Sequence, residues 1–155
     1  ATRSGALSPA AAASALAASH TASSQRLDQI RILLVEDNAL NQIIAKGVLQ
    51  KMGASVDVVD NGQLAVEALR AAPDHYQIVL MDVQMPVMDG YTAAHLIRHE
   101  LKLTLPILAI TAGVMESERQ LCLASGMNDV IAKPFDITRM YASIAANLPL
   151  PLGAA

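Results

Sequence analysis

Five short aliphatic runs, each followed by a stretch with apolar residues at helical spacing, constrain this chain more than any other feature. The runs are RILLV (31–35), SVDVV (55–59), QIVLM (77–81), PILAI (106–110) and DVIA (129–132). The second alternates apolar and polar residues; the others are unbroken and require burial on both faces. Between and after them lie helical patterns over 39–53, 61–72, 91–101, 114–126 and 136–148. In the first, Ile43, Ile44, Val48, Leu49 and Met52 recur at helical spacing. In the second, Leu64, Ala65, Ala68 and Leu69 share a face. Asn38, Asp89 and Asp136 stand where N-caps belong, and Gly53 where a helix should stop. Strict alternation of strand and helix predicts an α/β fold: a doubly wound (βα)5 unit around a five-stranded parallel sheet.

The 155 residues suffice for one domain with a real core. Trp is absent and Phe135 is the only Phe, so that core must be aliphatic. Residues 1–28 are dominated by Ala and Ser and read as a flexible linker, with the domain over 29–149 and a short tail over 150–155. A net charge of −3 with no basic block leaves no footprint for nucleic acid. No run of 18 apolar residues predicts a membrane span, and no cleavable signal peptide is expected. No nucleic-acid or membrane contact is therefore expected of this chain. The single Cys122 excludes an internal disulfide framework and reads as a buried, inert thiol.

Ligands of open α/β sheets bind outside the carboxyl ends of the strands. Glu36 and Asp37 follow the first run, Asp82 the third, Thr111 the fourth and Lys133 the fifth. With strand order 2-1-3-4-5, strands one and three are neighbours and the three acids converge. Each residue alone has a plain structural reading: a solvated strand-end acid, a helix-capping Thr, a surface Lys. Their joint placement points instead to a site for a hard divalent cation, since three crowded carboxylates need positive charge among them.

The blocks ILLVEDN, VLMDVQMPVMDG, PILAITA and DVIAKPF, in this order and spacing over about residues 30–148, resemble the signatures of a response-regulator receiver domain. The wording VEDNALNQ and ASGMNDVIAKP is most similar to receivers of hybrid sensor histidine kinases. That resemblance implies a flavodoxin-like fold and a role for each matching residue. Asp82 matches the aspartate that accepts a phosphoryl group from a phosphohistidine. Glu36, Asp37, Asp82 and the backbone carbonyl of Gln84 match the Mg²⁺ ligands. Lys133 matches the lysine on the phosphoryl oxygens, and Thr111 the hydroxyl that moves toward them. Pro134 matches a proline whose preceding bond is typically cis. A histidine kinase or histidine phosphotransfer domain is the implied partner, with a cytoplasmic location, tethered through a membrane sensor kinase.

One position departs from the family. Three residues before Lys133, where many members carry Tyr or Phe, stands Val130. An aromatic switch cannot run there, which favours a relay role or a weak output. Such a domain is an autocatalytic phosphoacceptor rather than a turnover enzyme. The alternatives are a pseudo-receiver or stand-alone response regulator working by protein–protein binding, an aspartyl-phosphate phosphatase, and a flavin carrier. Gln84, where such phosphatases carry a general acid, argues against the phosphatase. The acidic EDNALN loop, unsuited to cradling a phosphate, argues against the last. His95 and His99, four apart, have zinc-compatible spacing but no third ligand, and read as an exposed helix face. Met85 and Met88 read as loop packing.

Overall fold

A computed structural model describes residues 26–112, 115–133 and 136–148. Most of the Ala/Ser segment, His20, Gly113, Pro134, Phe135 and the 150–155 tail lie outside the described residues. The elements alternate as expected: β1 (Arg31–Val35), α1 (Ala39–Lys51), β2 (Ser55–Val59), α2 (Gly62–Ala71), β3 (Ile78–Asp82), α3 (Gly90–His99), β4 (Ile107–Thr111), α4 (Glu116–Ala124), β5 (Asp129–Ala132) and α5 (Ile137–Asn147). The five strands are parallel, in the order β2-β1-β3-β4-β5. This is the doubly wound parallel arrangement that the alternation predicts, with the flavodoxin-like order that the resemblance implies.

Successive strand residues point to opposite faces, and the sheet divides the interior into two cores. Ile32 and Leu34 of β1, Ile78 and Leu80 of β3 and Leu108 and Ile110 of β4 pack with Ala45 and Leu49 of α1 and Met140 and Ile144 of α5. Leu33 and Val35, Val79 and Met81, and Ile107 and Ala109 pack with α2, α3 and α4 through Val66, Leu69, Ala93, Ile97 and Cys122. Cys122 is fully buried, and burial pushes its thiol above its ordinary value, as fits an inert side chain. Met85 and Met88 pack, partly buried, against the second core.

Side chains cap four helices as the sequence suggests or allows. Asn38, Asn61, Asp89 and Asp136 each accept the backbone N–H three residues on. Gly53 adopts φ 97° past the end of α1, where an L side chain would be strained.

Two helix faces differ from the periodicity reading. On α1, Ala45 and Leu49 face the sheet, with Met52 just beyond the helix, while Ile43 is 70% and Leu40 64% exposed and Ile44 is exposed as well. Apolar residues lie on two sides of this helix, so spacing alone could not choose the inner one. On α2, Val66 is buried and Leu64 exposed. The packed body also reaches back to Leu27, which is fully buried against the α1 side of the sheet, inside the segment expected as linker.

The loop after β3 is tightly built. A Cβ at Gly90 would come within 2.5 Å of the Asp82 carbonyl oxygen, so this approach of loop to strand needs glycine. In the same loop Val87 has φ 71° and is 81% exposed. A β-branched residue in the left-handed region is strained, and here no burial offsets it. Val87→Asn should therefore raise stability by about 1 kcal/mol, read as a higher urea midpoint at unchanged slope; an unchanged or lower midpoint would contradict strain at this position.

Candidate functional site

Parallel register brings the polar residues together. Val35 pairs with Met81, so Glu36 follows β1 beside Asp82, the last residue of β3. Asp82 pairs with Ile110, which sets Thr111 one step further along β4. Thr111 pairs with Ala132, and Lys133 comes next, its backbone N–H donating to the Thr111 carbonyl at 2.9 Å. Asp82 thus ends its strand, and Thr111 ends β4 rather than following it. One cavity is lined by Glu36, Asp37, Asp82, Gln84, Thr111 and Lys133, together with Asn38, Asn41, Val83 and Ala112. All six residues singled out in the sequence meet there.

One carboxylate oxygen from each of Glu36, Asp37 and Asp82 lies within 4.8 Å of the others. Among the described residues, this is the only cluster of three or more His, Cys, Asp or Glu side chains so arranged. His95 and His99 stack, exposed, with ring centroids 4.2 Å apart and without a third ligand group.

Glu36 is fully buried, Asp82 is 5% exposed and Asp37 is exposed. Burial, joined by the charge of Asp82, raises the Glu36 carboxyl above its ordinary value despite the backbone hydrogen bond from Asn38. Its Oε2 accepts that Asn38 N–H at 3.1 Å. Its Oε1 has no hydrogen bond, though the Lys133 ammonium lies 3.3 Å away. Lys133 donates to Asp82 Oδ2 at 3.1 Å, and the Gln84 N–H to Asp82 Oδ1 at 3.0 Å. Burial pulls the Lys133 ammonium down, but Asp82 and Glu36 together outweigh it, and the net shift is upward.

A buried carboxylate oxygen that makes no hydrogen bond, has only the Lys133 ammonium 3.3 Å away and faces two further carboxylates suits a hard cation with oxygen ligands. Gln84 is exposed and tied to Asp82 through its own N–H. The pocket can therefore present a nucleophilic carboxylate, offset its charge from one side with Lys133, and admit a small anion from solvent.

Two contributors were not foreseen. Gln42, one turn into α1, donates to the Glu36 carbonyl at 2.6 Å and to Asp60 at 2.8 Å, bracing the turn that carries the acidic pair. Glu118, on the first turn of α4, accepts the Thr111 hydroxyl. Gln42 closes the quoted stretch VEDNALNQ but carried no role there, Glu118 lies outside the quoted blocks, and no spacing signal marked either. Val130 packs, partly buried, against the α2–α4 core.

Comparison with known proteins gives the family. The family model of the response regulator receiver domain matches residues 32–145. Hybrid signal transduction histidine kinase M of Dictyostelium discoideum is 44% identical over 110 residues; the match takes 68% of this chain but only 5% of that protein's length. The receiver domain of sensor histidine kinase PA1611 from Pseudomonas aeruginosa PAO1, solved with a magnesium ion coordinated in its active site cleft, superposes with a TM-score of 0.68. It is 37% identical over 76% of this chain and 96% of that one. The complex of the Saccharomyces cerevisiae histidine phosphotransfer protein Ypd1 with the receiver domain of Ssk1 gives a TM-score of 0.72 at 30% identity, covering 77% of this chain and 89% of that one. The match spans most of this chain and the site falls where the sheet topology directs it: the chain belongs to the response regulator receiver domain family of two-component signalling.

Proposed function

We propose that Asp82 accepts a phosphoryl group from a phosphohistidine, with Mg²⁺ held by Glu36, Asp37, Asp82 and the backbone carbonyl of Gln84. On this reading the domain serves a hybrid sensor histidine kinase on the cytoplasmic side, as a relay intermediate or switch. The observation that carries it is the meeting of three carboxylates within 4.8 Å, with the Lys133 ammonium 3.1 Å from Asp82. A carboxylate needs no base to act as nucleophile. Its difficulty is approach to another anion. Lys133 offsets that repulsion from one side and is poised to follow the charge onto the phosphoryl oxygens. Mg²⁺, when bound, supplies further positive charge against those oxygens. An Asp82 oxygen forms the P–O bond as the P–N bond to the donor breaks, and the imidazole leaves with that electron pair. The Gln84 N–H on Oδ1 holds the carboxylate in place. The Thr111 hydroxyl, on the same cavity wall, is the donor for a phosphoryl oxygen afterwards.

Partner docking has a matching surface. Leu40, Ile43 and Ile44 expose an apolar strip on α1, the helix that opens at the site through Asn38 and Asn41. A histidine-bearing helix bundle seated there would bring its phosphohistidine over Asp82. Val130, in place of an aromatic residue, favours relay over rotamer signalling.

Three outcomes test this reading. Incubation with acetyl phosphate should add one phosphate-sized mass in a Mg²⁺-dependent way and add none to Asp82→Asn, by intact-mass spectrometry; persistent labelling of that variant would refute the assignment. Ile43→Asp should keep its acetyl-phosphate labelling yet take phosphate from a phosphorylated histidine phosphotransfer protein roughly tenfold more slowly, the scale of losing one interface anchor. Glu36→Gln bears on the metal. The folded-state pKa of Glu36 is raised, so its ionisation disfavours the fold, and that contribution grows as pH rises from the ordinary carboxyl value through the raised one. The amide should therefore raise the melting temperature at pH 7 without divalent cation. It should also weaken the stabilisation that added Mg²⁺ gives the wild type. A variant that melts lower in metal-free buffer would contradict the cost assigned to buried Glu36.

A further inference from the structure

The Thr111 hydroxyl donates to Glu118 on the first turn of α4. Thr111 is buried at the end of β4 and shares the cavity wall with Asp82 and Lys133. A hydroxyl carries one proton and an ionised carboxylate can only accept. Thr111 therefore cannot give its proton to Glu118 and to a phosphoryl oxygen at the same time. Glu118 stands at the third position of α4, where a glutamate would ordinarily reach back to the N–H of the N-cap residue. Here it reaches across to the sheet instead, and the N-cap residue Met115 contributes no side-chain hydrogen bond. Each of the other four described helices is held at its start by its own capping side chain. The Thr111–Glu118 pair is thus a direct polar tie between the first turn of α4 and the phosphoryl site.

We propose that Glu118 is the resting partner of the Thr111 hydroxyl, and that phosphoryl uptake at Asp82 breaks this pair and releases the first turn of α4. The proposal rests on the reading of Asp82 as phosphoacceptor. The arriving phosphoryl group competes for the proton and brings negative charge within one side chain of Glu118, so the carboxylate loses its donor as repulsion on it rises. Glu118 is a positioning residue: it opposes the phosphorylated arrangement through Thr111 and converts a change of hydrogen-bond partner into movement of a helix. Such a route needs no aromatic residue at position 130.

The experiment uses beryllium fluoride with Mg²⁺ as a stand-in for the phosphoryl group. Its affinity is measured for wild type, Glu118→Ala, Thr111→Val and the double variant, each checked for folding by circular dichroism. The Thr111 Hα–Hβ coupling is read by NMR in the two unliganded proteins that keep Thr111. Glu118→Ala should bind the probe about five- to tenfold more tightly, the scale of one hydrogen bond to a charged group. It should also average the Thr111 coupling, and it should change the affinity little in the Thr111→Val background. An equal gain with and without the hydroxyl would overturn the proposal and leave only the removal of a nearby charge. An unaltered Thr111 coupling in Glu118→Ala would overturn it too. Wild type that fails to take up the probe, while Glu118→Ala still loosens Thr111, would defeat the phosphoacceptor reading and reduce the pair to a static brace.

Discussion

Mutual repulsion of carboxylates is the constraint around which this domain is arranged. Glu36 is fully buried and Asp82 nearly so, with Asp37 beside them, and a single ammonium, Lys133, sits among them. Two like charges 4 Å apart in a partly buried setting interact with an energy of about 4 kcal/mol. One lysine cannot cancel three such charges. The shortfall is visible in Glu36, whose carboxyl is driven upward by burial and by Asp82, and whose Oε1 makes no hydrogen bond, with only the Lys133 ammonium 3.3 Å away. The pocket is incomplete in charge, as the proposed cation site requires.

Topology brings these groups together at little cost in chain length. In a parallel sheet every strand delivers its last residue to the same edge, so consecutive register steps place Glu36 beside Asp82 and carry on to Thr111 and Lys133. β1, β3 and β4 are buried on both faces, which fixes the backbone under Glu36, Asp82 and Thr111. The adjustable parts are those outside the strands: the Glu36–Asn38 turn braced by Gln42, the β3–α3 loop pressed onto Asp82 at Gly90, and the α4 end held through Glu118.

The strands and the site residues were legible because their signal is local and redundant. A continuous apolar run ending in an acid, a hydroxyl residue or a lysine gives element, burial and position at once. The caps at Asn38, Asp89 and Asp136 were legible for the same reason. What escaped depends on contacts between distant elements. The inner face of α1 is chosen by the sheet it meets, and Ala45 wins over Ile43 because a small residue lets the helix approach. Leu27 looks like linker until Met52 and Ile30 close around it. Arg98 looks like a surface charge, yet it donates to the carbonyls of Gly126, Leu103 and Leu105 and to Asn128, locking α3 to the entries of β4 and β5. Glu118 belongs to the same group, since its partner Thr111 lies on another element.

The sheet is also a partition. The helix with the exposed apolar strip, α1, lies over one face with α5, whereas α4, tied to the site through Glu118, lies over the other with α2 and α3. The two cores share strands but draw on alternate residues of each. Sites without shared partners vary independently, so each face forms its own unit of variation. With docking on α1 and reporting through α4, as proposed, a lineage could rewrite whom such a domain recognises on one side while leaving untouched, on the other, the machinery by which it reports, with the acidic edge as the feature both must keep.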